Sequence, residues 1–441
     1  MDNVLAARAL MGISLGFHII YATIGIGLPL MLMLAEGISL KTGNELYHDM
    51  ARRWIRPAGL LFAIGAVSGT VLSFELGLLW PRFMEFSGPL IGMPFWMEGY
   101  AFFTEAIFLA LYIYGERRLS RRALFLCTIP LALSAALSAV FVISANSWMN
   151  TPAGFTLDSG ALTDISPLRA MMNPAFAHQA VHGTLAAFTA TAFGMAGIYA
   201  FALLRRQNSL YFRKALLLAM AVGSLTLPFM LFSGDWSASF LARHQPAKLA
   251  AAESHFETMA GAPLILGGWP DPATGEVHFA LRVPKMLSLL AFKDPDAVVV
   301  GLNDFPADEV PDPRWVHPFF QLMVGSFFIM ALAAGWFWWH AWRRRNFAAS
   351  RPLLWLLVAA APFGLIALES GWLVTEFGRQ PWIIQGVMKV AEGANPSGGL
   401  AIVLAVFLIV YILLTGGLVK MLLKREPSTD GSREDVHGDS L

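Results

Sequence analysis

Long apolar runs separated by short polar stretches dominate this sequence. Nine runs are near or above the roughly 20 residues that a helix needs to cross a bilayer. We place them at about 11–35, 57–80, 94–114, 122–146, 177–204, 211–233, 317–342, 351–372 and 398–423. The first run is too long, and too closely followed by the second, to be a cleaved signal peptide. The pattern predicts an all-α polytopic membrane protein with about nine transmembrane helices.

Basic residues concentrate in every second connection between these runs. They include Lys41, Arg52, Arg53, Arg56, Arg117, Arg118, Arg121, Arg122, Arg205, Arg206, Arg213, Lys214, Arg343, Arg344, Arg345, Lys420, Lys424 and Arg425. Because cytoplasmic loops carry an excess of Lys and Arg, this bias predicts an N-terminus outside and a cytoplasmic C-terminus.

The same reading divides the chain into four parts. Residues 1–233 hold helices one to six, 234–316 form a long outer loop, 317–425 hold helices seven to nine, and 426–441 form a polar cytoplasmic tail that we expect to be disordered. No internal repeat is visible, which disfavours an inverted-repeat transporter.

Composition narrows the class of protein further. Hydrophobic residues make up 56% and charged residues 14%, and mean hydropathy is +0.58, as expected for a membrane protein. The single cysteine, Cys127, excludes an internal disulfide and a thiolate iron-sulfur site. A net charge of +1 gives no basic surface for nucleic acid.

Four side chains that can bind metals fall in the outer third of four predicted helices: His18, His182, Met323 and Glu376. Taken singly, an intramembrane histidine is often a helix–helix hydrogen bonder, and a methionine is often packing. Their common depth favours ligation of haem iron. His178, four residues before His182, leaves a two-histidine metal site open as well.

Glu98 and Glu105 are seven residues apart, so both project from one face of the third helix. Carboxylates inside a membrane are costly and usually functional. The pair predicts a proton relay, with a hydrogen-bonded structural pair as the alternative.

Four motifs together resemble subunit I of cytochrome bd-type quinol oxidases. They are GWLVTEFGRQPW at 371–382, the interval from Arg8 to His18, NPAFAHQAVH at 173–182, and QPAKLAAAE at 245–253. The resemblance runs from about residue 5 to 423. It implies the haem-bearing subunit of a terminal respiratory oxidase in the bacterial cytoplasmic (inner) membrane. Such an enzyme oxidises quinol at the outer face and reduces O2 to water, generating a proton-motive force without pumping.

The resemblance also implies a set of haem ligands. His182 and Met323 match the ligands of a low-spin haem b. His18 and Glu376 match ligands of a high-spin haem b and of a haem d or second high-spin haem b, in an order that stays open. Three further residues match supporting positions of the family. Trp372 matches a tryptophan placed between haems, Arg379 matches the arginine beside the glutamate, and Arg8 matches a position near the haems.

Further matches concern protons, quinol and partners. Glu98 and Glu105 match the proton route, and Lys248 and Glu253 match the quinol site, where the alternative is a solvated loop helix. Weaker candidates at the loop entrance are Ser233 and Asp235. The expected partners are membrane lipid, quinol, O2 and a second related membrane subunit. A small single-span subunit is an optional further partner.

The sequence departs from the family pattern at three points. Gln321 stands where familiar members have an arginine two residues before the methionine ligand, the Glu98–Glu105 interval is one residue shorter, and the outer loop is short. The last feature indicates the short-loop branch. Two alternatives remain, namely a haem-binding electron-transfer subunit that does not reduce O2 and a proton-coupled transporter.

Overall fold

The computed structural model describes residues 3–205, 209–344, 346–395 and 399–424. The predicted tail, 426–441, lies outside these residues. The helices are α1 Asn3–Thr42, α2 Glu45–Leu79, α3 Pro81–Gly115, α4 Arg121–Asn150, α5 Pro167–Met171, α6 Phe176–Arg205, α7 Leu210–His244, α8 Pro246–Glu253, α9 Met286–Phe292, α10 Pro313–Arg344, α11 Arg351–Ala360, α12 Phe363–Phe377, α13 Val390–Gly393 and α14 Leu400–Lys424. The strands are β1 Thr156–Asp158, β2 Ala161–Thr163, β3 Met259–Ala260, β4 Leu264–Leu266, β5 Trp269–Asp271, β6 Glu276–His278, β7 Leu281–Val283, β8 Val298–Val299, β9 Trp382–Ile384 and β10 Met388–Lys389.

Within the described ranges, eight helical segments are long and apolar enough to cross a membrane, one fewer than predicted. They are α1, α2, α4, α6, α7, α10, the pair α11 and α12 taken together, and α14. The remaining predicted run, 94–114, lies within α3, which is 35 residues long. Its two carboxylates, Glu98 and Glu105, lower the hydropathy of that run. The all-α polytopic class is confirmed, whereas the orientation stays a prediction.

Local sequence signals explain several helix boundaries. The side chain of Asn44 accepts a hydrogen bond from the backbone of Leu46 at the start of α2, and Ser120 caps α4 in the same way. Pro81 occupies the first turn of α3, where its missing N–H costs nothing. Pro362 separates α11 from α12 within one membrane-length segment.

Small residues let the helices approach closely around α6. A Cβ atom on Gly364 of α12 would lie 2.6 Å from the Cα of Ala190 on α6. One on Gly27 of α1 would lie 2.2 Å from the hydroxyl oxygen of Thr191. Lipid supplies no hydrophobic force between helices, so such close packing is what holds a membrane bundle together. It brings α1, α6 and α12 into one layer.

The outer loop is folded, and it packs against the ends of the bundle. Its strands form the pairs β3–β8, β4–β7 and β5–β6, while β1–β2 and β9–β10 lie in other connections. Phe256 and Ile265 of the loop share one apolar cluster with Val316 of α10 and Val374 of α12. Helix α7 continues to His244, past the predicted boundary at 233. The loop therefore holds α8 directly over α10 and α12.

Candidate functional site

His18 and His182 each hydrogen-bond a serine of the next helix through Nδ1. The distance is 2.9 Å both to the hydroxyl of Ser68 and to that of Ser233. Each hydroxyl donates its own hydrogen to a carbonyl of its helix, so it accepts from the ring and Nδ1 carries the proton. This leaves Nε2 as the basic nitrogen, the arrangement common in metal-binding histidines. Gly69 makes room for one ring, since a Cβ there would lie 3.0 Å from Cε1 of His18.

His178 has a similar bond, but its ring is enclosed. Nδ1 lies 2.9 Å from the hydroxyl of Ser237, and the ring packs against Phe240 and Trp236 at centroid distances of 4.4 and 6.0 Å. Its side chain is 3% exposed. Its Nε2 is buried without a hydrogen-bond partner, so the ring packs in an aromatic enclosure and the two-histidine metal site stays a prediction.

Met323 lies against helix α12 immediately before Trp372. A Cβ atom on Gly371 would lie 3.1 Å from Sδ of Met323, so the missing side chain lets the thioether pack closely against α12. Trp372 packs in the clusters that contain Ile19 of α1 and Ala180 of α6. Helix α12 thus places the tryptophan between the helices that carry the two histidines.

Glu376 is held on both carboxylate oxygens. Asn146 of α4 donates to Oε1 at 2.7 Å, and Arg379 donates from Nη2 to Oε2 at 2.5 Å. Arg379 is 4% exposed, and its Nε and Nη1 are buried without a partner. A buried guanidinium with spare donors suits a further anionic group, such as a porphyrin propionate.

A chain of hydrogen bonds links this carboxylate to helix α8 of the outer loop. The ammonium of Lys248 donates to Oδ1 of Asn150 at 2.9 Å and to the carbonyl of Thr375 at 3.2 Å. The side-chain amide of Asn150 donates to the carbonyl of Asn146 at 3.0 Å, and Asn146 reaches Glu376. The lysine and the glutamate therefore belong to one polar network.

Lys248 and Glu253 are buried, with exposures of 6% and 5%. Burial lowers the pKa of Lys248 to about 7, with the Arg379 charge adding to this effect and the Glu376 charge opposing it. Burial raises the pKa of Glu253 to about 8. Oε2 of Glu253 has no hydrogen-bond partner. The alternative of a solvated loop helix is wrong, because both charged groups are removed from water.

The remaining predicted site residues lie outside the Glu376–Lys248 network. Arg8 is exposed near the start of α1, so the structure does not bring it into the Glu376 network. Asp235 of α7 is paired with Lys293 at the exposed surface, and Ser233 hydrogen-bonds the ring of His182. Glu98 is half-buried on α3.

Several polar residues of the site were not predicted from the sequence. Asn146 and Asn150 are four residues apart at the end of α4, where polar residues of an interface are also expected. Glu75 is 3% exposed and accepts a hydrogen bond from Ser14 at 2.9 Å. Glu369 lies in an apolar helix seven residues before Glu376. For Glu75 and Glu369, the sequence did offer a signal, because each is a charged residue inside an apolar run.

These residues fit haem. The two histidines with free Nε2 atoms, the thioether and the carboxylate are all iron ligands, and the spare donors of Arg379 fit a propionate. Together with the bundle, they define a polytopic membrane protein of the haem-binding class.

Comparison with known proteins identifies the family. Residues 6–427 match the family described as cytochrome bd terminal oxidase subunit I, and the chain belongs to this family. It is 39% identical over 432 residues to the putative cytochrome bd menaquinol oxidase subunit I of Bacillus subtilis, covering 96% of each chain. It is 32% identical to the cytochrome bd ubiquinol oxidase subunit 1 of the same species, covering 100% of this chain and 96% of the relative. The structure of bd oxidase from Geobacillus thermodenitrificans matches with a TM-score of 0.91 and 42% identity, covering 96% of this chain and 98% of that one.

Family membership confirms the main functional prediction. The chain is a subunit of a terminal quinol oxidase, a multi-pass inner-membrane protein of a multi-subunit complex with haem cofactors. The electron-transfer subunit that does not reduce O2 and the transporter are set aside.

Proposed function

We propose that four helices supply the haem ligands of this oxidase. His182 and Met323 hold a low-spin haem b, and His18 and Glu376 each hold one of two further haems, a high-spin haem b and a haem d or second high-spin haem b. The serine bonds of the two histidine rings support this assignment because they leave Nε2 free. Bound haem iron supplies one-electron transfer and the binding and reduction of O2.

The chain's own residues position this chemistry. Arg379 neutralises Glu376 and keeps two donors for a propionate. Trp372 fills the space between α1 and α6. Its ring keeps water out of this space and gives an electron that crosses between the two helices a path through packed protein atoms. Trp382, whose ring lies 5.4 Å from the ammonium of Lys389, anchors the outer end of the segment.

Quinol is oxidised beside α8. Lys248 holds a quinol oxygen through the third hydrogen of its ammonium, since two others are used by Asn150 and Thr375. Glu253 accepts the hydroxyl proton at its unpartnered Oε2. A buried carboxylate with an unpartnered oxygen, on the same short helix as a buried lysine, is the observation that carries the proposal. Because relatives are named for menaquinol and for ubiquinol, the substrate class is membrane quinol.

Charge is separated across the membrane because protons are released on one side of the bundle and taken up on the other. With the predicted orientation, protons from quinol leave at the outer loop, and protons for water enter from the cytoplasm through Glu105 and Glu98 on α3. Oxidation outside and proton uptake inside build a proton-motive force without a pump. A second related membrane subunit completes the complex, and lipid surrounds it.

The role of Glu253 predicts a distinct pH dependence. Only the ionised carboxylate accepts a proton, and its pKa of about 8 means that the ionised fraction rises steeply from pH 6 to pH 8. The ratio of kcat/KM for quinol between the parent enzyme and Glu253→Gln is expected to rise at least ~10-fold over this interval. Steady-state O2 consumption at several pH values measures the ratio. A constant ratio would show that Glu253 is not the proton acceptor.

Gln321 places a neutral side chain near Met323, where familiar members of the family carry a positively charged arginine. Its amide donates to the carbonyl of Ile265 and accepts from the N–H of Gly267, both at 3.0 Å, so it ties the outer loop to α10. A guanidinium there favours electron-rich reduced iron. Gln321→Arg is expected to raise the midpoint potential of the low-spin haem by on the order of 50 mV.

A redox titration of the low-spin band measures this shift. Gln321→Leu is the control, because it breaks the same two loop bonds without adding charge. A lower potential in the arginine variant, or an equal shift in both variants, would contradict the electrostatic account.

A further inference from the structure

Four large apolar side chains of the outer loop lie close together and are exposed. Leu266 and Leu281 are partners in the β4–β7 pair. Trp269 is the partner of His278 in the β5–β6 pair, and Phe279 follows His278. The exposed fractions of Leu266, Trp269, Phe279 and Leu281 are 40%, 57%, 99% and 65%. These four residues form the apolar tip of the loop, a patch of the kind that marks an interaction surface.

Phe279 is exposed in a backbone conformation that a bulky residue rarely adopts. Its φ is +58°, in the left-handed region where glycine and asparagine are favoured. The strands approach closely here, since a Cβ atom on Gly268 would lie 2.8 Å from Cβ of Ala280 and 2.9 Å from the carbonyl oxygen of His278. This turn does not require an aromatic ring, and in water a ring this exposed is unfavourable. The position therefore indicates apolar surroundings for the ring.

Strand β5 runs outward along the end of α10 at which the loop joins the bundle. Before the strand, the N–H of Gly267 donates to Oε1 of Gln321 at 3.0 Å, and Nε2 of His317 lies 2.9 Å from the carbonyl oxygen of Gly267. At the far end of the strand, Asp271 interacts electrostatically with Arg314. Gln321 and Arg314 are seven helical residues apart, about 10.5 Å, and Gly267 and Asp271 are four strand residues apart, about 13 Å. The two distances match, so strand and helix lie side by side.

The β5–β6 hairpin is therefore polar at its outer end and apolar at its inner end. Asp271 and Glu276 are partners beside the outer turn, where Thr274 is exposed. Strand β6 then returns inward, and Phe279 follows it at the level of Gly267 and Gln321. An element that enters the headgroup region of a membrane has this distribution, with apolar side chains towards the acyl chains and charges towards water.

The lipid-facing surface of α10 begins at the same level. Leu322, the residue after Gln321, is exposed, and the exposed side chains of Phe328 and Leu332 continue this apolar surface along the helix. Trp315 is exposed as well, and it lies seven residues, about 10.5 Å, further out than Leu322. Tryptophan is enriched where a membrane protein meets the membrane–water interface. The inner end of the hairpin thus lies at the depth between the acyl chains and the aromatic belt.

We propose that the apolar tip of the outer loop inserts into the bilayer leaflet that adjoins it, where phospholipid acyl chains surround Leu266, Trp269, Phe279 and Leu281. Insertion removes four large apolar side chains from water, which stabilises the loop in this position. The loop is then held beside α10 in two ways, by the hydrogen bonds at Gly267 and by lipid. This contact goes beyond the proposed function, because it depends on the position of the tip along α10 and not on which residues bind haem or quinol.

Spin labelling of the oxidised complex in a bilayer of phosphatidylethanolamine and phosphatidylglycerol tests the insertion. A nitroxide is attached at Phe279→Cys or at Leu281→Cys, and the parent treated in the same way gives the background from Cys127. The measurement is the ratio of the nitroxide's collision rate with O2, which concentrates in lipid, to its collision rate with a water-soluble nickel chelate. The matched control is Thr274→Cys, at the outer turn of the same hairpin. The ratio at both tip positions is expected to exceed that of the control at least ~5-fold.

A ratio at either tip position within about twofold of the control would overturn the proposal, because the tip would then lie in water. Low collision rates with both reagents at the tip would overturn it as well, since the second subunit or a second copy of this chain would then cover the patch. Failure of the proposed haem or quinol sites is a separate result, because the ratio is measured without turnover.

Discussion

Replacing Glu376 with alanine is expected to remove one of the three proposed haems while the low-spin haem remains. The carboxylate is fixed by Asn146 and Arg379, and alanine at this position removes the proposed ligand from that network. O2 consumption is expected to fall ~10²-fold or more, since one member of the haem pair is lost. Haem extraction and the reduced-minus-oxidised spectrum of the purified complex measure both effects.

Two further variants separate ligation from folding. Alanine leaves Arg379 buried and unpaired, which costs a few kcal/mol by itself. Glu376→Gln keeps the size of the side chain and an oxygen for Arg379, yet it is a poor iron ligand, so it is expected to lose the same haem. Glu309→Ala, at an exposed position, is the control. Full haem content in Glu376→Gln would mean that the residue only supports packing.

Replacing Lys248 is expected to abolish O2 consumption driven by quinol, with a fall of ~10²-fold or more. The ammonium is the only charged donor on α8 and lies between Asn150 and Thr375. The haem bands are expected to be intact, and O2 reduction driven by an artificial one-electron donor is expected to be largely unaffected. Steady-state O2 consumption with each donor gives the comparison.

The choice of substitution matters at this position. A Cβ on Gly378 would lie 2.8 Å from Cε of Lys248, so the lysine stem packs tightly on α12. Lys248→Met keeps this packing and removes only the charge, and it is expected to behave like Lys248→Ala. Lys285→Ala, an exposed lysine of the same loop, is the control. Equal loss with both donors would show that Lys248 supports the haems rather than quinol.

The apolar runs were sufficient to predict a bundle of membrane helices. The exact ends of the helices depended on tertiary contacts that the runs do not show. The run at 94–114 falls below the hydropathy of the other spans because Glu98 and Glu105 lie within it. The end of α7 was placed at 233 because polar residues follow, among them Ser237. In the folded chain Ser237 hydrogen-bonds His178, so this polar residue faces α6 within a helix that continues to His244.

The candidate site was predictable where residue chemistry was unusual for a membrane, and less so elsewhere. Glu376 and Arg379 stand out as charges at the end of an apolar run. Asn146 and Asn150 do not, because amides at a helix end are common, and only their contacts with Glu376 and Lys248 from distant parts of the chain give them a role. Arg8 is exposed and lies outside the Glu376 network, so its role stays a prediction.

The central claim is that the oxidase holds its low-spin haem between His182 and Met323, apart from the haems at His18 and Glu376. The most direct test is the reduced-minus-oxidised spectrum of purified Met323→Leu complex, with haem extraction, beside that of the parent. Leucine keeps the volume against Gly371 but cannot ligate iron. Loss of the low-spin bands, or their conversion to high-spin, with the other two haems unchanged is the predicted result. Low-spin bands that survive with an unaltered midpoint potential would contradict it.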